Sequence, residues 1–415
     1  MVKSLIIKIR TFFYKDKLFF KDAFLNMMAF AIYICSQQIV LLPALAKLLD
    51  ENSYANVILF ITILNVFSNV LGGQLGVTHQ LQKYQYDGKR EEEKSDFFIL
   101  MLLSSLLVVI CFPIILNILN YKVLSIVFMT ITALVSNYRM YIRYLFRLNS
   151  TYINTIVQNI VYFIGVCCGL LTFKFIQISW LPLFIGEIFA LVYTIFVIPH
   201  KIIKIRKSKI FSKTLKRYSG LGLADALTNV VNLIDKLLVF PLLGAYSLAV
   251  YNAGTATSKV AALVMNPLNE VILVKLSKAK DKGASSLLRA VITFSFIFSS
   301  ALFVILIPLI YVLSFILYRQ YLDDIKAIII LLSMGCAVGT TSSVMKNFIL
   351  RFANPKQLGI CYLINLVVIV VCGLYGARMY GLLGFAFAMV IGHVELWISF
   401  VVVLFRYSNR EENIE

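Results

Sequence analysis

Asp235 and Lys236 stand side by side in NVVNLIDKLLVF (229–240), a stretch that otherwise reads as hydrocarbon. Asp225, Asn229, Asn232 and Asp235 or Lys236 follow spacings of 4, 3 and 3 or 4, which puts them on one face of a helix. A second stripe follows in the next apolar block: Asn252, Thr255, Lys259, Asn266 and Asn269 or Glu270. A lysine or aspartate deep in a bilayer costs about 2.5–3.5 kcal/mol on insertion scales, so these stripes are predicted to face protein or water. Two chemistries are open. In one, Lys236 and Lys259 present positive charge to an anionic substrate in a wet cavity. In the other, Asp235 and Lys259 pair across adjacent antiparallel helices, their depths differing by about 6 Å at helical rise.

Three further groups have a chemistry of their own. Arg139, Arg143 and Arg147, in NYRMYIRYLFR, recur every four residues among tyrosines. They read either as an interfacial anchor or as a loading site for a phosphate headgroup, whose oxygens suit guanidinium groups. Glu187 and Glu395 are carboxyls expected in mid-span and are candidates for ion coupling, with helix-packing hydrogen bonds as the alternative. His393 lies two residues from Glu395, so the two do not share a helix face.

The elements that position these residues are apolar blocks of bilayer length. The 415-residue chain is 60% hydrophobic and 14% charged, and runs such as FFILMLLSSLLVVICFPIILNIL (97–119) are continuously apolar, which excludes the alternating segments of an outer-membrane barrel. The fold class is therefore an all-α polytopic membrane protein. Twelve transmembrane helices are expected, near 23–43, 54–77, 97–118, 122–138, 152–173, 178–199, 219–243, 246–274, 290–316, 325–345, 357–377 and 381–405. With the N-terminus inside, 31 of the 39 Lys and Arg fall in the cytoplasmic segments, which predicts that both termini are cytoplasmic. The net charge of +19 is thus an orientation signal that touches membrane lipids, and it does not call for a nucleic-acid partner. The seven cysteines and three histidines show no metal-ligand spacing, and neither a metal nor another cofactor is expected.

The basic stretch 200–218 divides the spans six and six, and the halves match. VLLPALAKLLDENSYAN (40–56) parallels LVFPLLGAYSLAVYNAG (238–254), and Tyr54 to Lys83 and Tyr251 to Lys280 both span 29 residues. Pro113 and Pro308 interrupt the third helix of each half. Aligning Pro43 with Pro241 places Gln37 and Gln38 at Asp235 and Lys236; aligning Tyr54 with Tyr251 places Asn69 at Asn266. Two like-oriented six-helix lobes lining one shared cavity are predicted, with Gln37 and Asn69 on its milder side and charge added on the other. The expected organisation is an interfacial N-terminal segment (1–21), an N-lobe (22–199), a basic cytoplasmic linker (200–218), a C-lobe (219–405) and a cytoplasmic tail (406–415).

With twelve spans, the repeat and DKLLVFPLLGAYSLAVYNA at the seventh-to-eighth turn, the chain resembles the polysaccharide transporters of the multidrug/oligosaccharidyl-lipid/polysaccharide exporter superfamily, in particular an O-antigen (Wzx-type) or capsule-repeat flippase. The motif positions are Asp235, Lys236, Gly244, Tyr251 and Ala253. The resemblance implies a V-shaped pair of lobes in the bacterial inner membrane. It also implies alternating access, ion- or potential-coupled, that flips an undecaprenyl-diphosphate-linked oligosaccharide. The substrate is then expected to meet Lys236, Lys259, Asp235, Asp225, Asn229, Asn232, Asn252, Asn266, Gln37 and Asn69, and the coupling ion to be H⁺ or Na⁺. A drug:cation antiporter of the same superfamily is the alternative. An O-antigen polymerase or ligase fits less well, because such enzymes carry a large outer loop and no loop here exceeds about twenty residues; the chain is not expected to be an enzyme. Peptidoglycan-precursor flippases of the superfamily usually have fourteen spans, against the twelve expected here.

Overall fold

The computed structural model describes residues 17–86, 88–198, 205–256, 284–352 and 355–412. All regular structure among them is helical, and nine helices are long and apolar enough to cross a membrane. Two of these nine bend back on themselves, at Gly244 and at Tyr380–Gly381, and the shorter Leu181–Val197 completes the set. The chain is a multi-pass membrane protein. Its outward surface is inverted relative to a water-soluble protein: Leu106 and Ile110, Phe296 and Val304, and Leu363 and Val371 are exposed, as lipid-facing side chains should be.

α1 (17–48) runs as Lys17–Ile34, a π-helical turn Cys35–Leu41, and Leu42–Leu48. The π turn precedes Pro43, which has no N–H to give; the Leu42 N–H reaches the Gln37 carbonyl instead, widening the helix by one residue. α2 (51–86) opens on Asp50, whose carboxylate accepts the Ser53 N–H at 3.1 Å. Hydrogen bonds from Ser53 hold that carboxyl below its ordinary range. α2 has its own π turn, Ser68–Gly73. There Gly72 lies so close to α4 that a Cβ would sit 2.1 Å from the Asn137 carbonyl oxygen, so the contact requires glycine.

α3 (Arg90–Ile118), α4 (Val123–Leu148), α5 (Tyr152–Ile176) and α6 (Leu181–Val197) complete the first lobe. The second comprises α7 (211–243), α8 (from 245, described to 256), α9 (Ala284–Leu317), α10 (Leu322–Phe352), α11 (355–380) and α12 (382–412). α7 turns into α8 at Gly244, whose φ of +82° is a left-handed conformation that glycine adopts without steric cost. Pro113 and Pro308 both lie inside the third helix of their lobe.

The helices outrun the apolar spans. α7 begins at Phe211 rather than 219, so eight residues of the expected linker are helix and only 205–210 are described as non-helical. α12 likewise continues to Glu412, through most of the expected tail. The apolar pattern marks where hydrocarbon begins, whereas backbone hydrogen bonding carries a helix on into the headgroup region.

Residues 88–89, 149–151 and 205–210 share one end of the molecule, here the basic end; the turns at 49–50, 244 and 318–321 share the far end. At the far end the lobes meet: the Gln320 amide donates to the Ala46 carbonyl at 2.7 Å, and Tyr54 of α2 lies against Asn252 of α8 and Tyr318. At the basic end the start of α7 reaches the first lobe. Thr214 meets Tyr86 at 3.1 Å, the Tyr218 hydroxyl donates to the Leu71 carbonyl at 3.2 Å, and the Asp96 carboxylate accepts from Tyr86 and from Ser208 just ahead of the helix.

Candidate functional site

Asp235 and Lys236 of α7 line a cavity of about 390 Å³. α8 contributes Tyr251 and Thr255, α10 contributes Cys336, Gly339, Thr340, Ser343 and Lys346, α11 contributes Tyr362, and α12 contributes His393. A volume of this order is that of a small-molecule or headgroup site, in the usual range of roughly 300–1,000 Å³, and falls short of a whole oligosaccharide. The α10 contribution is itself a stripe: residues 336, 339, 340, 343 and 346 recur at helical spacing, small or polar until the final lysine. Gly335 and Gly339 make room for the imidazole of His393, whose ring atoms lie 3.3 and 3.1 Å from where their Cβ atoms would stand.

One Asp235 carboxylate oxygen accepts the Lys236 backbone N–H at 2.8 Å. The Tyr251 hydroxyl lies against this carboxylate and His393 faces it. The ammonium groups of Lys236 and Lys346 have no carboxylate at ion-pair distance among residues whose side chains are described. Lys346 stands 5.7 Å from the Tyr362 ring centroid and senses Asp225 only at longer range. Lys236 is nevertheless 4% exposed. Two lysines therefore share a protein-lined cavity with one carboxylate and one imidazole, an arrangement that attracts an anion.

The remaining sequence candidates are placed as follows. Asp225 accepts the Asn229 amide at 2.8 Å and lies against Gln74 of α2; it is not in the cavity lining but stands within electrostatic range of Lys346 and Tyr362, which are. Asn252 points to Tyr54 at the far end. Lys259 and Asn266 lie outside the described residues, as does the side chain of Asn232, and so the Asp235–Lys259 pairing lies outside them too.

Gln37 and Asn69 do not line this cavity, whose described walls all belong to the second lobe. Asn69 sits in the α2 π turn. Gln37 closes a cluster inside the first lobe, its amide donating to the Tyr33 hydroxyl at 2.9 Å and the Tyr162 hydroxyl at 3.1 Å. The first lobe contributes none of this cavity's described walls; in α1 the Tyr33 and Gln37 side chains pack inward against Tyr162 of α5 and Arg139 of α4.

That same cluster separates Arg139 from its neighbours on α4. Its guanidinium donates to both Glu187 oxygens at 2.7 and 2.8 Å, with Tyr33 and Tyr162 rings 4.7 and 4.9 Å away. Arg139 and Glu187 are 2% and 0% exposed. A bidentate pair satisfies both partners and leaves Arg139 no free face for a headgroup. Glu395 is also engaged: Asn365 of α11 donates to one oxygen at 2.9 Å and Ser399 to the other at 2.7 Å. His393 and Glu395 point in different directions, as their spacing requires. Sequence reasoning passed over Lys346, counted with the basic-end residues, and the α10 stripe leading to it was the available signal.

No family model matches the chain, and no curated protein matches it by sequence. Solved structures match it by fold. An inward-facing multidrug resistance MATE family transporter of the MOP superfamily superposes with a TM-score of 0.66 at 14% identity, covering 93% of this chain and 99% of that one. A variant of the Vibrio cholerae MATE transporter VcmN gives 0.66 at 12% identity, covering 95% and 97%. The lipid II flippase MurJ, in an inward closed conformation, gives 0.62 at 16%, covering 96% and 87%. The fold is that of the MOP superfamily transporters. At these identities the likeness extends to architecture and not to substrate.

Proposed function

We infer that the protein is a flippase for an undecaprenyl-diphosphate-linked oligosaccharide of O-antigen or capsule type, working by alternating access in the bacterial inner membrane with both termini in the cytoplasm. The observation that supports this reading is the cavity in which Lys236 and Lys346 face the interior with no carboxylate at ion-pair distance among the residues whose side chains are described. An anion entering would gain two charge-assisted contacts that the resting protein leaves unmade. The volume suits a diphosphate and its first sugar, leaving the polyprenyl tail in lipid. An inside-negative potential favours outward movement of the anion by about 2.3 kcal/mol per charge per 100 mV.

A second reading keeps the fold and changes the cargo. Asp235, with His393 and Tyr251 beside it, places a carboxylate in the same cavity, where it favours a cationic drug exchanged for H⁺ or Na⁺. The two readings part in one experiment. Deleting the gene in its own host and extracting lipid-linked glycans is expected to show complete undecaprenyl-diphosphate repeat units accumulating while surface polymer is lost. Unchanged glycans together with increased retention of a cationic dye would replace the flippase by the antiporter.

A further inference from the structure

The α4 arginines divide sharply once Arg139 is accounted for. Arg143 and Arg147 are one turn apart on the same face, so their like charges repel. Neither has a carboxylate within ion-pair distance among residues whose side chains are described. The Arg143 guanidinium stands 5.6 Å over the Phe30 ring of α1, with the Met140 sulfur 4.0 Å away. Arg147 lies 5.1 Å over the Tyr144 ring, and its Nε is a buried donor with no acceptor among the described residues.

A guanidinium carries five N–H donors, and leaving a buried one unmade costs the full desolvation of that group. Packing against rings holds the planar groups in place without using those donors. The C-terminal end of α4 offers a partial negative charge that favours Arg147, but the effect is confined to the last turn and does not extend to Arg143. The site borders the basic-end turn at Asn149 and Ser150, which is exposed, so an ion can reach it from that end.

We propose that Arg143 and Arg147 form a phosphate-binding site at the basic end of the first lobe, separate from the second-lobe cavity, that captures the phosphate or diphosphate group of a lipid before transport. Two forks one helical turn apart can each donate to a different non-bridging oxygen, which suits a diphosphate better than a carboxylate. The site rests on the proposed function only for the nature of the lipid; anion capture there does not depend on which cargo the cavity carries.

The test is binding to the full chain purified in detergent, with farnesyl diphosphate, farnesol and inorganic diphosphate as probes. Farnesyl diphosphate is expected to bind, farnesol not to, and Arg143→Gln with Arg147→Gln to weaken binding roughly tenfold or more. Arg143→Lys with Arg147→Lys, which keeps charge and loses the fork, should fall between. Thermal melting identifies any variant that misfolds, and the lysine pair then carries the comparison. Inorganic diphosphate binding as tightly as the lipid would assign the site to a soluble anion and overturn the lipid source. Unchanged farnesyl diphosphate affinity in a folded double variant would overturn the site itself. Lys346→Ala measured alongside separates this from the cavity: if arginine variants lose binding while the host deletion leaves glycans unchanged, the capture site stands and the flippase reading falls.

Discussion

The two lobes treat buried charge in opposite ways. In the first, Arg139 and Glu187 form a bidentate pair capped by Tyr33, Tyr162 and Gln37, and this pair has nothing left with which to bind a ligand; only Arg143 and Arg147, nearer the basic end of α4, stay outside it. In the second, Lys236 and Lys346 open into a cavity in which the one carboxylate among the described lining residues, Asp235, is turned toward its own helix's backbone, Tyr251 and His393. Charge that completes its own partnership serves as a fastener, and charge left incomplete serves as a receptor. The first lobe thus encloses an ion pair complete in itself, and the second encloses a cavity lined by lysines that the described carboxylates do not pair.

This contrast is open to direct attack. The largest effect is expected from breaking the fastener: Glu187→Ala leaves a buried guanidinium unpaired and should cost about 3–5 kcal/mol, read as lost expression and a lower melting temperature. Replacing both partners, Arg139→Leu with Glu187→Met, should recover much of that loss; if it does not, the pair has a role beyond holding α4 to α6. In the receptor lobe, Lys346→Ala should leave melting nearly unchanged while transport falls roughly tenfold or more, measured in vesicles or by surface polymer. A melting loss as large as that of Glu187→Ala would make Lys346 structural and dissolve the contrast.

A smaller effect is expected at Gly339, where a methyl group would press on the His393 ring. Gly339→Ala should reduce transport severalfold with a stability cost of about 1–3 kcal/mol, as for other overpacked sites. The smallest is expected at the far-end seam. There Tyr54, Tyr318 and Asn252 bring polar atoms together, close enough to interact but without good hydrogen-bond geometry, so each remains unsatisfied. Tyr318→Phe removes a hydroxyl that has no proper partner; it should change stability by less than about 1 kcal/mol, in the stabilising direction, and slow transport slightly by favouring the closed seam.

Much of this was legible in the chain. The apolar blocks, Pro113 with Pro308, and Pro43 and Tyr54 set against Pro241 and Tyr251 marked twelve helices in two related lobes, because bilayer thickness and proline's missing donor act locally. The placement of Asp235 and Lys236 on an inward face followed from spacing alone. Arg139 could not be separated from Arg143 and Arg147, since all three have the same periodicity and only Glu187, 48 residues away, distinguishes them. Lys346 hid for a similar reason: near a helix end a lysine reads as an orientation charge, and nothing in the local pattern says that α11 and α12 will enclose it.

The sequence by itself determined the membrane-spanning class, the order of the helices and the polar stripes, because each depends on residues within a turn or two of one another and on the cost of placing charge in hydrocarbon. Only the tertiary structure decided which charges are neutralised. It closed Gln37 into the first lobe, paired Arg139 with Glu187, and gathered Lys236, Lys346 and His393 around one space. Whether a buried charge is spent or available depends on which helix packs beside it, and that is a property of packing between distant segments that no local pattern encodes.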